Sequence, residues 1–132
     1  MKIGNVVMFL CITIILFPLT AHAENVRNAE YAVSLEQNYP NPFSDTTEID
    51  YKVSSSSDSC IDSVFVELIV FDVLGQHIDT LVSGFQCIDK KYTVTWDGSN
   101  KKGEQQPSGI FFYQIYIRSA GLTCTKKMIR MR

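Results

Sequence analysis

Histidines, cysteines and paired carboxylates are the side chains that most often carry reaction chemistry, and this chain uses them sparsely. It has two histidines, His22 and His77. His22 lies in an apolar N-terminal stretch, which leaves His77 as the one imidazole of the remaining chain. His77 follows a turn and has no Cys or His at metal-ligand spacing. No G-x-S-x-G elbow and no second candidate base accompany it, so it reads as a solvated turn histidine. Glu48 and Asp50 share a strand face but alternate with Lys52, the pattern of a wet surface. Asp97-Gly98-Ser99-Asn100-Lys101-Lys102-Gly103 has the outline of a calcium loop, yet Lys occupies the fifth position and no Glu the twelfth. It reads as a turn. No glycine-rich phosphate loop is present. These residues predict a protein that is not an enzyme, with no metal, no cofactor and no small-molecule substrate.

The N-terminus carries Lys2, an apolar run from Val6 to Phe17, then Pro18 and Ala21-His22-Ala23. A basic start, a hydrophobic stretch too short to span a bilayer comfortably and an A-x-A ending predict a signal peptide over 1–23, removed on export. The rest, 24–132, suits one domain. Losing Lys2 takes the net charge from −2 to −3, which argues against nucleic-acid binding driven by bulk charge. Cations nonetheless crowd the end of the chain, at Lys126, Lys127, Arg130 and Arg132. Three cysteines follow the cleavage point: Cys60, Cys87 and Cys124. An odd number leaves at least one free or intermolecular thiol. If 63–72 and 76–82 pair about the turn Val73-Leu74-Gly75, Cys60 and Cys87 come close where the hairpin opens, within reach of a disulfide. Cys124 reads as a small strand residue.

The elements are predicted from period. Tyr92, Val94 and Trp96 alternate with Thr93 and Thr95, a half-buried strand with the single Trp as core anchor. Ile110 to Ile117 is apolar on both faces, as a strand covered on both sides would be. Asp97-Gly98 and Pro107-Ser108-Gly109 bound a polar loop between them, giving a long-looped β-hairpin. Thr47, Ile49, Tyr51 and Val53 form a one-sided strand; Val64, Val66, Leu68 and Val70 mark a central one. Ile78 and Leu81, oddly spaced, suggest a bulge in its partner. Pro40 and Pro42 make 37–43 a rigid, non-helical lead-in, and 24–34 reads as a flexible leader, with a short strand near Val33–Leu35. Cys124 to Arg132 gives a final, basic, amphipathic strand. About seven strands and no helix predict an all-β, antiparallel Ig-like β-sandwich.

Five stretches occur in order: Gln37-Asn38-Tyr39-Pro40-Asn41-Pro42-Phe43, Val70-Phe71-Asp72-Val73-Leu74-Gly75-Gln76, Val94-Thr95-Trp96-Asp97-Gly98, Ser108-Gly109-Ile110-Phe111-Phe112-Tyr113 and Lys127-Met128-Ile129. Together they resemble the type A C-terminal sorting domain of the type IX secretion system of Bacteroidota, itself similar to the Ig-like module of the flagellar hook-capping protein. The resemblance covers 35–132. It implies a non-catalytic domain that crosses the periplasm, is recognised by the outer-membrane translocon and a sortase-like peptidase, and reaches the cell surface or the medium. It also implies that Pro40, Asn41, Pro42, Phe43, Asp72, Gly75, Trp96, Asp97, Gly98, Gly109, Lys127, Met128 and Ile129 are structural and recognition residues, with the last strand meeting the translocon. In that family the domain follows a large cargo. Here only Glu24 to Leu35 separate the cleavage site from the first stretch, so either the sandwich is itself the exported product or the reading frame is a remnant of a longer gene. The chain is expected to be a monomer, and a small exported adhesion or carbohydrate-binding sandwich is the alternative. It requires Tyr92, Tyr113 and Tyr116 to face solvent as an aromatic platform.

Overall fold

A computed structural model describes residues 24–27, 30–56 and 63–132. Among the described residues there are eight strands: β1 (Glu24–Arg27), β2 (Tyr31–Leu35), β3 (Thr47–Ser55), β4 (Ser63–Asp72), β5 (His77–Cys87), β6 (Lys91–Trp96), β7 (Gly109–Ile117) and β8 (Leu122–Arg130). They form two four-stranded sheets, β1-β2-β3-β6 and β5-β4-β7-β8, with every neighbouring pair antiparallel. The sheets face each other as an Ig-like sandwich. The signal peptide predicted over 1–23 lies outside the described residues.

Alternation decides what fills the core. Tyr31, Val33 and Leu35 from β2, and Ile49, Tyr51 and Val53 from β3, meet the inward residues Val64, Val66, Leu68 and Val70 of β4. Phe111, Tyr113, Ile115 and Ile117 of β7, with Cys124 and Met128 of β8, complete it. Cys124 is a buried core residue.

Three expectations change and a fourth holds. The flexible leader assigned to 24–34 is not one over Tyr31–Ser34: β2 belongs to the sheet, and Tyr31 and Val33 are buried. Ala32 and Ser34 weaken its apolar pattern, which hid it. The predicted hairpin of 92–117 does not form, because β6 pairs with β3 whereas β7 pairs with β4 and β8. The 97–108 loop instead crosses from one sheet to the other. β7 is central in its sheet but covered on one side only; Phe112, Gln114 and Tyr116 are half-buried on the outward side. Finally, the bulge expected near Ile78 and Leu81 is present as two register shifts, between Leu68/Ile69 and Val70/Phe71. They bring Ser63 opposite Cys87, two residues away from the partner that the straight hairpin numbering gives Cys87 and three residues in sequence from Cys60. Cys60 lies outside the described residues, and Cys87 is an exposed free thiol.

Tyr113 links the two sheets by polar bonds as well as packing. Its hydroxyl donates to the Glu36 carbonyl at 2.8 Å and accepts from the Asn38 backbone N–H at 2.9 Å. Removing it strands a buried donor beneath the 37–43 segment. Tyr113→Phe is expected to cost about 1–3 kcal/mol in urea unfolding; a loss under about 0.5 kcal/mol would show that these bonds are replaceable.

Candidate recognition site at one end of the sandwich

Antiparallel register places the end of β4, the start of β7 and the end of β8 side by side, since Asp72 opposes Phe111 and Gly109 opposes Arg130. Thr47 opposes Trp96 at the same end of the other sheet. Three of the five sequence stretches are interlocked there, and the remaining two meet them through register.

The 37–43 segment runs along the free edge of β8. Gln37 Nε2 donates to the Lys127 carbonyl at 2.8 Å, and Ile129 N–H donates to Asn41 Oδ1 at 2.9 Å. Phe43 then pairs as a short parallel bridge: its N–H donates to the Ile129 carbonyl at 3.0 Å, and its carbonyl accepts from Met131 N–H at 2.8 Å. The Tyr39–Pro40 and Asn41–Pro42 peptide bonds are both cis. The Pro40 carbonyl accepts from Thr47 Oγ1 at 2.8 Å and from Asn38 Nδ2 at 3.2 Å. Asn38 and Thr47 are themselves buried and joined at 2.9 Å. Phe43 packs against Trp96, ring centroids 5.6 Å apart, and Trp96 against Phe111 at 5.3 Å.

Arg130 ties the set together, and the sequence reading did not single it out. Its side chain is 1% exposed, one of the largest buried in the protein. Four oxygens hold the guanidinium: the Ser44 carbonyl at 3.3 Å, the Gly98 carbonyl at 2.8 Å, the Gln106 carbonyl and Gln105 Oε1. Burial lowers its pKa while Asp97 and Asp45 oppose that shift; an arginine stays protonated regardless. The available signal was parity, since Met128 and Arg130 share a face and Met128 is core.

The Trp96-Asp97-Gly98 stretch forms the wall against which Arg130 rests. Trp96 Nε1 donates to the Ser99 carbonyl at 2.9 Å. Asp97 Oδ1 accepts from the Ser99 N–H at 3.0 Å and from its hydroxyl. Asn100 Oδ1 accepts from the N–H groups of Lys102 and Glu104, both at 3.0 Å. The side-chain oxygens of a supposed calcium loop are thus engaged in turning the chain. Asp72 and Gly75 lie at the same end but bond within their own turn: Asp72 Oδ1 accepts from Leu74 and Gln76 N–H, each at 2.9 Å, and Gly75 takes φ +79°.

Met128 is core, whereas Lys127 and Ile129 face outward. β8 is an edge strand, as the last-strand reading requires, but the 37–43 segment already occupies the C-terminal half of its free edge. A partner strand cannot add there without displacing it.

The remaining candidates stand apart. His77 Nε2 bonds Thr80 Oγ1 at 2.8 Å at the surface. Asp50 accepts from Thr93 Oγ1 at 2.6 Å and pairs with Lys91 at 2.8 Å. The tyrosine platform does not form: Tyr113 is fully buried and Tyr92 stacks on Tyr51 at 5.6 Å, leaving Tyr116 on the outward side. Among the described residues no three His, Cys, Asp or Glu side chains gather as a metal site.

The carboxyls of Asp50 and Asp97 are both held below their ordinary value, the first mainly by the hydrogen bond from Lys91, the second by that from the Ser99 hydroxyl. A depressed folded-state pKa contributes stability above the unfolded value, and that contribution is lost as pH falls through the folded value. Stability is therefore expected to be level near neutrality and to fall below about pH 4. Asp97→Asn should reduce the slope in that range, as read by denaturant midpoints across pH; an unchanged slope would remove Asp97 from the account.

No known protein-family model matches this chain, and no curated protein does. Solved structures do. Dimeric latent PorU from Porphyromonas gingivalis is similar, with a TM-score of 0.57 and 13% identity over 80% of this chain and 13% of that one. PorZ, an essential bacterial surface component of the type-IX secretion system of the same organism, is similar with a TM-score of 0.50 and 15% identity, over 73% of this chain and 11% of that one. The chain thus spans about an eighth of PorU and less of PorZ. At these identities the likeness is one of fold.

Proposed function

We propose that residues 24–132 form a non-catalytic sorting domain, whose folded surface directs export across the outer membrane through a type IX secretion system. The observation that carries this reading is convergence. Three of the stretches that resemble the sorting domain lie up to ninety residues apart, yet they form one hydrogen-bonded assembly around Arg130 at one end of the sandwich. The fold shared with parts of PorU and PorZ supports it. The chemistry is recognition. A signal peptide over 1–23 delivers the chain to the periplasm, the sandwich folds, and the outer-membrane translocon reads its surface. Of the motif residues, Phe43, Trp96, Gly98 and Met128 shape the domain, while Lys127 and Ile129 are presented to a reader.

The test is a reporter carrying an N-terminal signal peptide and residues 24–132 at its C-terminus, so that β1 and β2 are retained. In a bacterium with a type IX translocon the reporter is expected outside the cell. In the translocon-deficient strain it is expected in the periplasm. Equal surface display in both strains would reject the reading.

A further inference from the structure

We propose that the outward face of the β5-β4-β7-β8 sheet is a docking surface for a protein partner that presents an apolar strip bearing acidic side chains. This rests on the export reading and names the part of the domain that the export machinery touches.

The two sheets differ in what they show to solvent. Outward positions of β2, β3 and β6 are mostly polar: Ser34 stands opposite Lys52, and Asp50 opposite Thr93. On the other sheet three outward pairs across neighbouring strands are apolar, with Glu67 opposite Ser83 and Gln114 opposite Thr125 between them. Phe65 stands opposite Phe85, Phe71 opposite Phe112, and Ile110 opposite Ile129. Phe85 is 72% exposed and Ile110 41%. A sandwich normally leaves this side of an antiparallel sheet to water and lines it with polar residues; a connected apolar area there marks an interaction site.

Charge and hydrogen bonding select the occupant. Glu67 is the face's anion, and Arg118 already holds it at 3.4 Å while lying over the Phe65 ring, 5.1 Å from its centroid. Lys127 stands opposite Phe112, is exposed, and makes no ion pair among the described residues. The face is therefore left positive within a chain of net charge −2, which draws an acidic partner. A second copy would set Lys127 against an apolar face whose one carboxylate is taken. A glycan needs free hydrogen-bonding groups, yet Gln114 Nε2 is donated to Thr125 Oγ1 at 2.9 Å. An anionic membrane needs several unpaired cations where Lys127 stands alone.

Three versions of the reporter fusion decide it: the unaltered domain, Phe71→Thr with Phe112→Thr, and Lys127→Glu. Thermal unfolding of each purified domain establishes that it folds, and Lys127→Glu, an exposed change, decides the matter if the double variant does not. Translocon-dependent export of the unaltered domain, with at least a tenfold drop for the folded variants, is the expected result. Folded variants exported like the unaltered domain would overturn the docking surface and leave the export reading standing. Equal release of the unaltered domain with and without the translocon would overturn both. A dimer in sedimentation, or co-flotation with phosphatidylglycerol vesicles, that is abolished by Phe71→Thr with Phe112→Thr would give the face to another occupant and overturn the proposal.

Discussion

Arg130→Ala is expected to remove about 3–5 kcal/mol of folding stability, a large share of what a domain of this size has. The guanidinium donates to three backbone carbonyls, those of Ser44, Gly98 and Gln106, that belong to segments far apart in sequence. Alanine leaves these acceptors without donors and opens a cavity beside Gly98, so the loss combines unmet hydrogen bonds with lost packing. Recovered hydration of the charge offsets part of it. Lysine separates charge from shape. An ammonium on a flexible stem keeps the charge but cannot hold oxygens on three sides in the fixed fork of a guanidinium. Arg130→Lys is therefore expected to retain less than half of the stability that the arginine contributes. Urea midpoints at unchanged m-value measure both variants. A lysine variant as stable as the native domain would mean that a positive charge alone closes this end, and the clasp would have to be abandoned. Because the clasp also holds the end of the segment lying on β8, through the Ser44 carbonyl, Arg130→Ala should expose 37–43 to proteolysis before the rest of the sandwich unfolds.

Period made most of the strands legible. Ile49, Tyr51 and Val53 alternate so strictly with Asp50 and Lys52 that this inward set follows from sequence alone, and it is core. In β4 Phe65, Ile69 and Phe71 make the second face apolar too, and it is the Val64, Val66, Leu68 and Val70 face that the core takes. Partners were not legible in the same way, because alternation says which face a residue takes and nothing of which strand lies beside it. That is why β6 and β7, each correctly placed, were joined as a hairpin although a loop over 97–108 is long for one. The bulge near Ile78 and Leu81 shows the converse: a break in period was visible, and it proved to shift the β4–β5 register twice. Arg130 was hidden by its type. A cation in a basic terminal run is ordinarily solvated, and only the carbonyl oxygens brought from 44, 98 and 106 make its burial tolerable. Those oxygens are backbone atoms. No residue type records them, so this half of the site could not be read from side chains. The docking face was equally out of reach until the pairing was known, because Phe65, Phe71 and Phe112 become one surface only when β4 and β7 lie between β5 and β8.

Gly98→Ala carries the other large effect, and its origin can be separated from that of an ordinary turn glycine. Gly98 has φ +75°, and a Cβ built there would stand 2.6 Å from Nε and 2.7 Å from Nη1 of Arg130, closer still to Cζ. Gly75 has φ +79° with nothing within 4 Å of the same position. Gly75→Ala therefore measures backbone strain alone, about 1–2 kcal/mol. Gly98→Ala adds the displacement of a buried guanidinium from its four oxygens and is expected to cost about 3–4 kcal/mol. The two terms part in a double-mutant cycle. In an Arg130→Ala background the obstructing side chain is gone, so Gly98→Ala should cost no more than Gly75→Ala does, leaving a coupling of about 2 kcal/mol between residues 32 positions apart. Additive costs in that cycle would mean that Gly98 is required for its turn and not for the arginine. The glycine of the Trp-Asp-Gly stretch would then have no part in holding the end of β8.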